Sequence, residues 1–137
     1  MTNRYVLDSY ALLALLNDEP GAARVEDLLR QAEAGETDLS LSVINLGELA
    51  YIIERRWGPE KLRAILAYIE ATKIQLATAN QPRVLAAAHI KAQNPLSYAD
   101  AFAAALTQEL NATLLTGDPE FEAVSSQMTI EWLAKPV

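Results

Sequence analysis

Four acidic residues stand where a carboxylate has more to do than meet solvent: Asp8, Glu48, Asp100 and Asp118. Asp8 closes the apolar run Tyr5-Val6-Leu7, and Asp118 sits in Thr116-Gly117-Asp118-Pro119-Glu120-Phe121, directly after the run Ala112 to Leu115. Asp100 is the only charged residue between Lys91 and Glu109 and is set among Ala99, Ala101, Phe102, Ala103 and Ala104. On a helical wheel Glu48 lies beside Ile44, Tyr51, Ile52 and Arg55, away from the apolar face of Leu46, Leu49, Ala50 and Ile53. That helix is apolar over most of its girth, so burial on two sides is expected. Carboxylates gathered in one place repel, and desolvation raises the pKa of some. A hard divalent cation resolves the conflict, because Mg²⁺ and Mn²⁺ take oxygen ligands and can acidify a bound water for attack on phosphorus.

Each acid also has a local explanation. Asp8 falls between a strand and a helix, the ordinary place of an N-cap. Asp118 can cap a turn begun by Pro119, with Glu120 and Glu122 favourable at a positive helix end. Ser97-Tyr98-Ala99-Asp100 has capping-box spacing, in which the acid bonds back to the cap residue. Glu48 can be a surface acid paired with Arg55. Taken singly these readings stay open, and the metal reading gains only from the set.

The set requires elements that bring the acids together. Arg4 to Leu7 reads as a strand followed directly by a helix through Leu16, and Pro20 can begin a second helix that ends at Ala34-Gly35-Glu36-Thr37. Asp38 to Ser42 is a short strand, Val43 to Arg56 a helix, and Pro59 begins another after Trp57-Gly58. Ile74 to Ala77 reads as a strand, Gln81 to Ala92 and Ser97 to Leu110 as helices, Ala112 to Leu115 as a strand, and Thr129 to Trp132 as a last short one. Strands alternating with helices predict an α/β fold, a three-layer α/β/α arrangement around a mostly parallel sheet of four to five strands. Ligands of such sheets bind beyond the carboxyl ends of the strands, where strand order reverses. Asp8 and Asp118 both follow a strand, so neighbouring strands would aim them into one crevice.

The bulk composition narrows the chemistry. With 137 residues and 51% hydrophobic content, a single domain over residues 1–137 is expected. There is no cysteine and only one histidine, which excludes a disulfide framework, a thiolate nucleophile and a poly-imidazole zinc site. The net charge of -7 argues against nucleic acid at face value, yet four clustered carboxylates supply much of it and a bound cation offsets it locally. The apolar run near the N-terminus is broken at Asn17-Asp18-Glu19, which fits neither a signal peptide nor a membrane span, so a cytoplasmic location without membrane association is expected.

With these residues in view, the sequence resembles the PIN-domain ribonucleases, and specifically the VapC toxins of type II toxin-antitoxin systems. The resemblance covers nearly the whole chain and rests on Val6-Leu7-Asp8-Ser9, Asn45-Leu46-Gly47-Glu48-Leu49, Leu96-Ser97-Tyr98-Ala99-Asp100-Ala101 and Leu115-Thr116-Gly117-Asp118-Pro119-Glu120-Phe121, in that order. It implies that Asp8, Glu48, Asp100 and Asp118 form the family's acidic quartet, holding one or two Mg²⁺ or Mn²⁺ ions. By the same resemblance Thr116 supports the site and Ser9 is a companion to it. The implied reaction is hydrolysis of an RNA phosphodiester with water as nucleophile and a 3′-hydroxyl as leaving group. The implied partners are the RNA substrate, a small VapB-like antitoxin and a second copy of the chain in a homodimer.

Other readings fit less well. A haloacid-dehalogenase-like phosphatase needs a second Asp two residues after the first, and position 10 is Tyr; a receiver domain needs an acidic pair after its first strand. A PIN-like module that holds RNA or protein without turnover is the alternative from another class. His89 reads as a helix surface or packing residue, Trp57 and Trp132 as core or dimer contacts, and Arg55 and Arg56 as a solvated helix end.

Overall fold

The structure, a computed structural model, describes residues 3–134. Its strands are β1 (Asn3–Leu7), β2 (Thr37–Ser42), β3 (Gln75–Ala77), β4 (Thr113–Thr116) and β5 (Thr129–Trp132). The helices are α1 (Ser9–Leu16), α2 (Ala22–Glu33), α3 (Val43–Trp57), α4 (Pro59–Ala71), α5 (Gln81–Gln93) and α6 (Tyr98–Glu109), with a 3₁₀ turn at Pro119–Val124. The strands form one sheet in the order β3-β2-β1-β4-β5, and every pairing is parallel.

A parallel sheet must be covered on both faces, and the strand alternation shows how this is done. Leu7 and Leu115 enter one core with Leu12, Val25, Leu28, Leu49 and Ile53 from α1, α2 and α3. Their neighbours Val6 and Leu114 enter the other, with Ala87, Ala101, Phe102 and Phe121 from α5, α6 and the 3₁₀ turn. The expected α/β/α layering is therefore present with five strands.

Helix limits differ from the sequence reading for local reasons. The first helix starts at Ser9, directly after its cap Asp8, and the second starts at Ala22, after Gly21, rather than at Pro20. Ser97 is the cap of α6 rather than its first residue. The expectation that α3 is buried on two sides is corrected: Asn45, Leu49 and Ile53 form one fully buried stripe, while Ile44, Glu48 and Ile52 are half-buried and Tyr51 is exposed. On its second side Ile44 packs against the α5 and α6 core, while Glu48 and Ile52 border a groove instead of a packed neighbour. Trp57 and Trp132 are 45% and 40% exposed, so neither is a core residue. His89 is exposed on α5, and Arg55 and Arg56 are exposed at the end of α3, stacked over Tyr51 and Trp57. Among the described residues no helix is long and apolar enough to cross a membrane.

Candidate functional site

The chain runs outward from β1 through β2 to β3, then returns to place β4 on the other side of β1. Strand order therefore reverses between β1 and β4, and Leu7 pairs with Leu115 at their carboxyl ends. A crevice is expected at this point of an open parallel sheet. A groove of about 280 Å³ opens there, lined by Ser9, Tyr10, Glu48, Asp100, Asp118 and Glu120 among others.

Asp8 lies beneath it, 1% exposed. One of its oxygens accepts the Ala11 N–H at 2.8 Å, and the other accepts the Thr116 hydroxyl. Thr116 in turn accepts the Asp118 N–H at 3.0 Å, so a single hydroxyl ties the ends of β1 and β4 together. The N-cap and site readings of Asp8 are thus not exclusive, since one oxygen serves each. Glu48 reaches over from α3, where its carboxylate accepts the Ser9 hydroxyl. The sequence-assigned companions Ser9 and Thr116 therefore each bond to one of the acids.

Asp100, Asp118 and Glu120 approach most closely, each offering an oxygen within 4.8 Å of the others. Asp118 caps the 3₁₀ turn by accepting the Glu120 N–H at 3.0 Å. Ser97 caps α6 by accepting the Asp100 N–H at 3.1 Å, but the return half of a capping box is absent. The Ser97 N–H goes to Glu120 at 3.2 Å instead. Glu120, read from sequence only as a favourable charge at a helix end, is thus a fifth acid of the groove. Nothing local in the sequence announces this, because its partner Ser97 lies 23 positions away.

Electrostatics set the site apart from the rest of the surface. Burial pushes the Asp8 carboxyl up to about 7, against the Thr116 and Ala11 hydrogen bonds, and the nearby Asp118 charge adds to the rise. Burial, then the Asp118 and Glu120 charges, push Asp100 up to about 8, against the Ser97 hydroxyl. The ion pairs of the described residues are Arg24 with Asp27 and Glu131, Arg30 with Asp27, and Arg83 with Glu109, and none involves a groove acid. Carboxylates brought together without a protein cation are an all-oxygen donor set suited to a hard divalent ion. The residues present therefore fit Mg²⁺ or Mn²⁺.

Asn45 was not foreseen as part of this architecture. It is fully buried on the deep stripe of α3, and its amide donates to the Ala99 carbonyl at 3.1 Å, tying α3 to the first turn of α6. A polar residue four positions before Leu49 on an apolar stripe was the available signal.

The PIN domain family model matches residues 5–126. No curated protein sequence matches the chain. Among solved structures, VapBC2 of Rickettsia felis bound to a promoter DNA fragment superposes with a TM-score of 0.74 at 16% identity, covering 96% of this chain and 99% of that one. VapBC-1 of nontypeable Haemophilus influenzae gives a TM-score of 0.68 at 24% identity over 94% of this chain and 97% of the other. The sarcin-ricin loop cleaving toxin VapC20 of Mycobacterium tuberculosis gives 0.65 at 19% identity over 88% and 94% of the two chains. At these identities the likeness is one of fold.

Proposed function

The chain belongs to the PIN domain family, and on that premise we propose that it is a Mg²⁺ or Mn²⁺ dependent endoribonuclease, the toxin of a VapBC-type pair. What supports this reading is that Glu48, Asp100 and Asp118 line one groove at the reversal point of the sheet, with buried Asp8 within electrostatic reach of Asp100 and Asp118 and no protein cation paired to any of them among the described residues. These four acids would hold the ion or ions. When bound, the metal supplies a positioned, acidified water and positive charge for the phosphodiester.

The chain's own residues prepare that site. Thr116 fixes the Asp8 carboxylate and Ser9 fixes that of Glu48, so less side-chain entropy remains to be lost on ion uptake. Asp118 is held by two local hydrogen bonds, one through its N–H and one through its carboxylate. The half-open groove gives a phosphate room to approach, and Tyr10 forms part of its wall.

We read the chain as a single PIN domain over residues 1–137, cytoplasmic and homodimeric, with a small VapB-like antitoxin as its inhibitor. The VapBC structures of the same fold support the antitoxin partner. Leu76 on the edge strand β3 and Leu85 on α5, 47% and 60% exposed, support self-association. The test is incubation of the purified protein with total RNA in Mg²⁺, Mn²⁺ or EDTA. Cleavage in either metal and none in EDTA is expected, whereas full activity in EDTA contradicts the reading.

A further inference from the structure

We propose that Glu120 is a positioning residue that accepts the Ser97 N–H in place of the Asp100 carboxylate and so leaves that carboxylate lining the groove. Asp100 is the third residue of α6, with Ser97 as its cap. From that position an acid ordinarily reaches back to the backbone N–H of the cap, completing the reciprocal pair. A carboxylate so used spends a lone pair on the backbone and turns toward the helix end. Here the cap half is present, since Ser97 accepts the Asp100 N–H at 3.1 Å, but the return half is made by a residue from another element. Glu120, exposed on the 3₁₀ turn, accepts the Ser97 N–H at 3.2 Å.

The same residue is bonded at its backbone to Asp118, whose carboxylate accepts the Glu120 N–H at 3.0 Å. Glu120 therefore links the two other acids it approaches: its amide anchors Asp118, and its side chain occupies the donor that would otherwise draw Asp100 away. Its own carboxylate has a structural task and serves the site by relieving Asp100 of it. The inference rests on the metal-dependent reading above and assigns Glu120 a role different from that of a fifth ligand.

Removing the carboxylate and removing only its charge separate these roles, because the Gln side-chain oxygen still accepts the Ser97 N–H. Glu120 is exposed, so neither variant threatens the fold. Calorimetric titration of the metal-free protein with Mn²⁺ should show about a tenfold weaker affinity for Glu120→Ala, the scale of one hydrogen bond to a charged group. Glu120→Gln should stay within about threefold of wild type, the scale of a surface charge. Equal losses in both variants would make Glu120 a direct ligand and overturn the proposal, as would a Glu120→Ala affinity equal to wild type. The crystal structure of metal-free Glu120→Ala gives a second readout, in which Asp100 should have turned to within hydrogen-bond distance of the Ser97 nitrogen; an unmoved Asp100 overturns the proposal. Should wild type bind no Mn²⁺, the metal reading fails, and this crystallographic arm alone decides the role of Glu120.

Discussion

The Thr116 hydroxyl, at the end of β4, donates to the Asp8 carboxylate, at the end of β1, joining residues 108 positions apart. The contact follows from register: Leu7 pairs with Leu115, so the next residues of the two strands emerge side by side. Because Thr116 also accepts the Asp118 N–H, its hydroxyl holds two acids at once.

Thr116→Val keeps the side-chain shape and deletes that hydroxyl, leaving the Asp118 N–H and one Asp8 oxygen without their partner. A loss of about 1–3 kcal/mol in stability is expected, the cost of buried polar groups left unsatisfied. Thr116→Ser should recover most of it. Urea unfolding of the three proteins checks the stability, and Mn²⁺ affinity should fall in the same order.

The metal-free protein should become less stable as pH rises. Asp8 and Asp100 have folded-state values of about 7 and about 8, above the ordinary 3.8. Between about pH 4 and pH 8 the folded chain therefore holds more protons than the unfolded one, and unfolding releases them. The raised values make this a stability lost with rising pH, falling most through the acid-to-neutral range and levelling off above the folded values. Thermal midpoints in EDTA should drop by several degrees from pH 5 to pH 8.5, at about 2–8 °C per kcal/mol. Asp8→Asn should flatten the profile, and Mn²⁺ should restore the midpoint at the alkaline end, where it competes with fewer protons. A profile that rises toward pH 8.5 would contradict these assignments.

Gly117 is required by Tyr10. A Cβ at position 117 would stand 2.3 Å from Cε1 and 2.8 Å from Cζ of the Tyr10 ring, closer than atoms can pack. Gly117→Ala must displace either the ring, which forms part of the groove wall, or the backbone that carries Asp118. The expected cost is about 1–3 kcal/mol, typical of overpacking, with a matching loss of Mn²⁺ affinity. Tyr10→Ala combined with Gly117→Ala should regain stability relative to Gly117→Ala alone. A double-mutant cycle showing no coupling between the two positions would refute this contact.

The strand ends were the most legible part of the sequence. Asp8 and Asp118 were visible because each follows an apolar run at a junction where α/β sheets place ligands, a consequence of local pattern and topology. Asp100 was visible as a lone charge among alanines, but its capping-box spacing pointed equally to the helix end, and only the Glu120 contact shows which acceptor the Ser97 N–H meets. The girth of α3 misled in part: apolar residues on a second side suggested burial, and Ile44 does pack there, whereas Glu48 and Ile52 border the groove and stay half-buried. Glu120 and Asn45 act through partners 23 and 54 positions away, and such pairings are set by packing rather than by any period in the sequence.

The most direct test of the central claim is cleavage of total RNA in Mn²⁺ by wild type beside Asp8→Ala and Asp100→Asn, each first shown to be folded. Wild type should cut, and each substitution should lower the rate by at least about tenfold, the loss expected when charge stabilisation of the transition state is removed. Cleavage by both variants at the wild-type rate would remove the reaction from this groove, and a folded wild type that binds RNA but cuts none would make the chain a binding module.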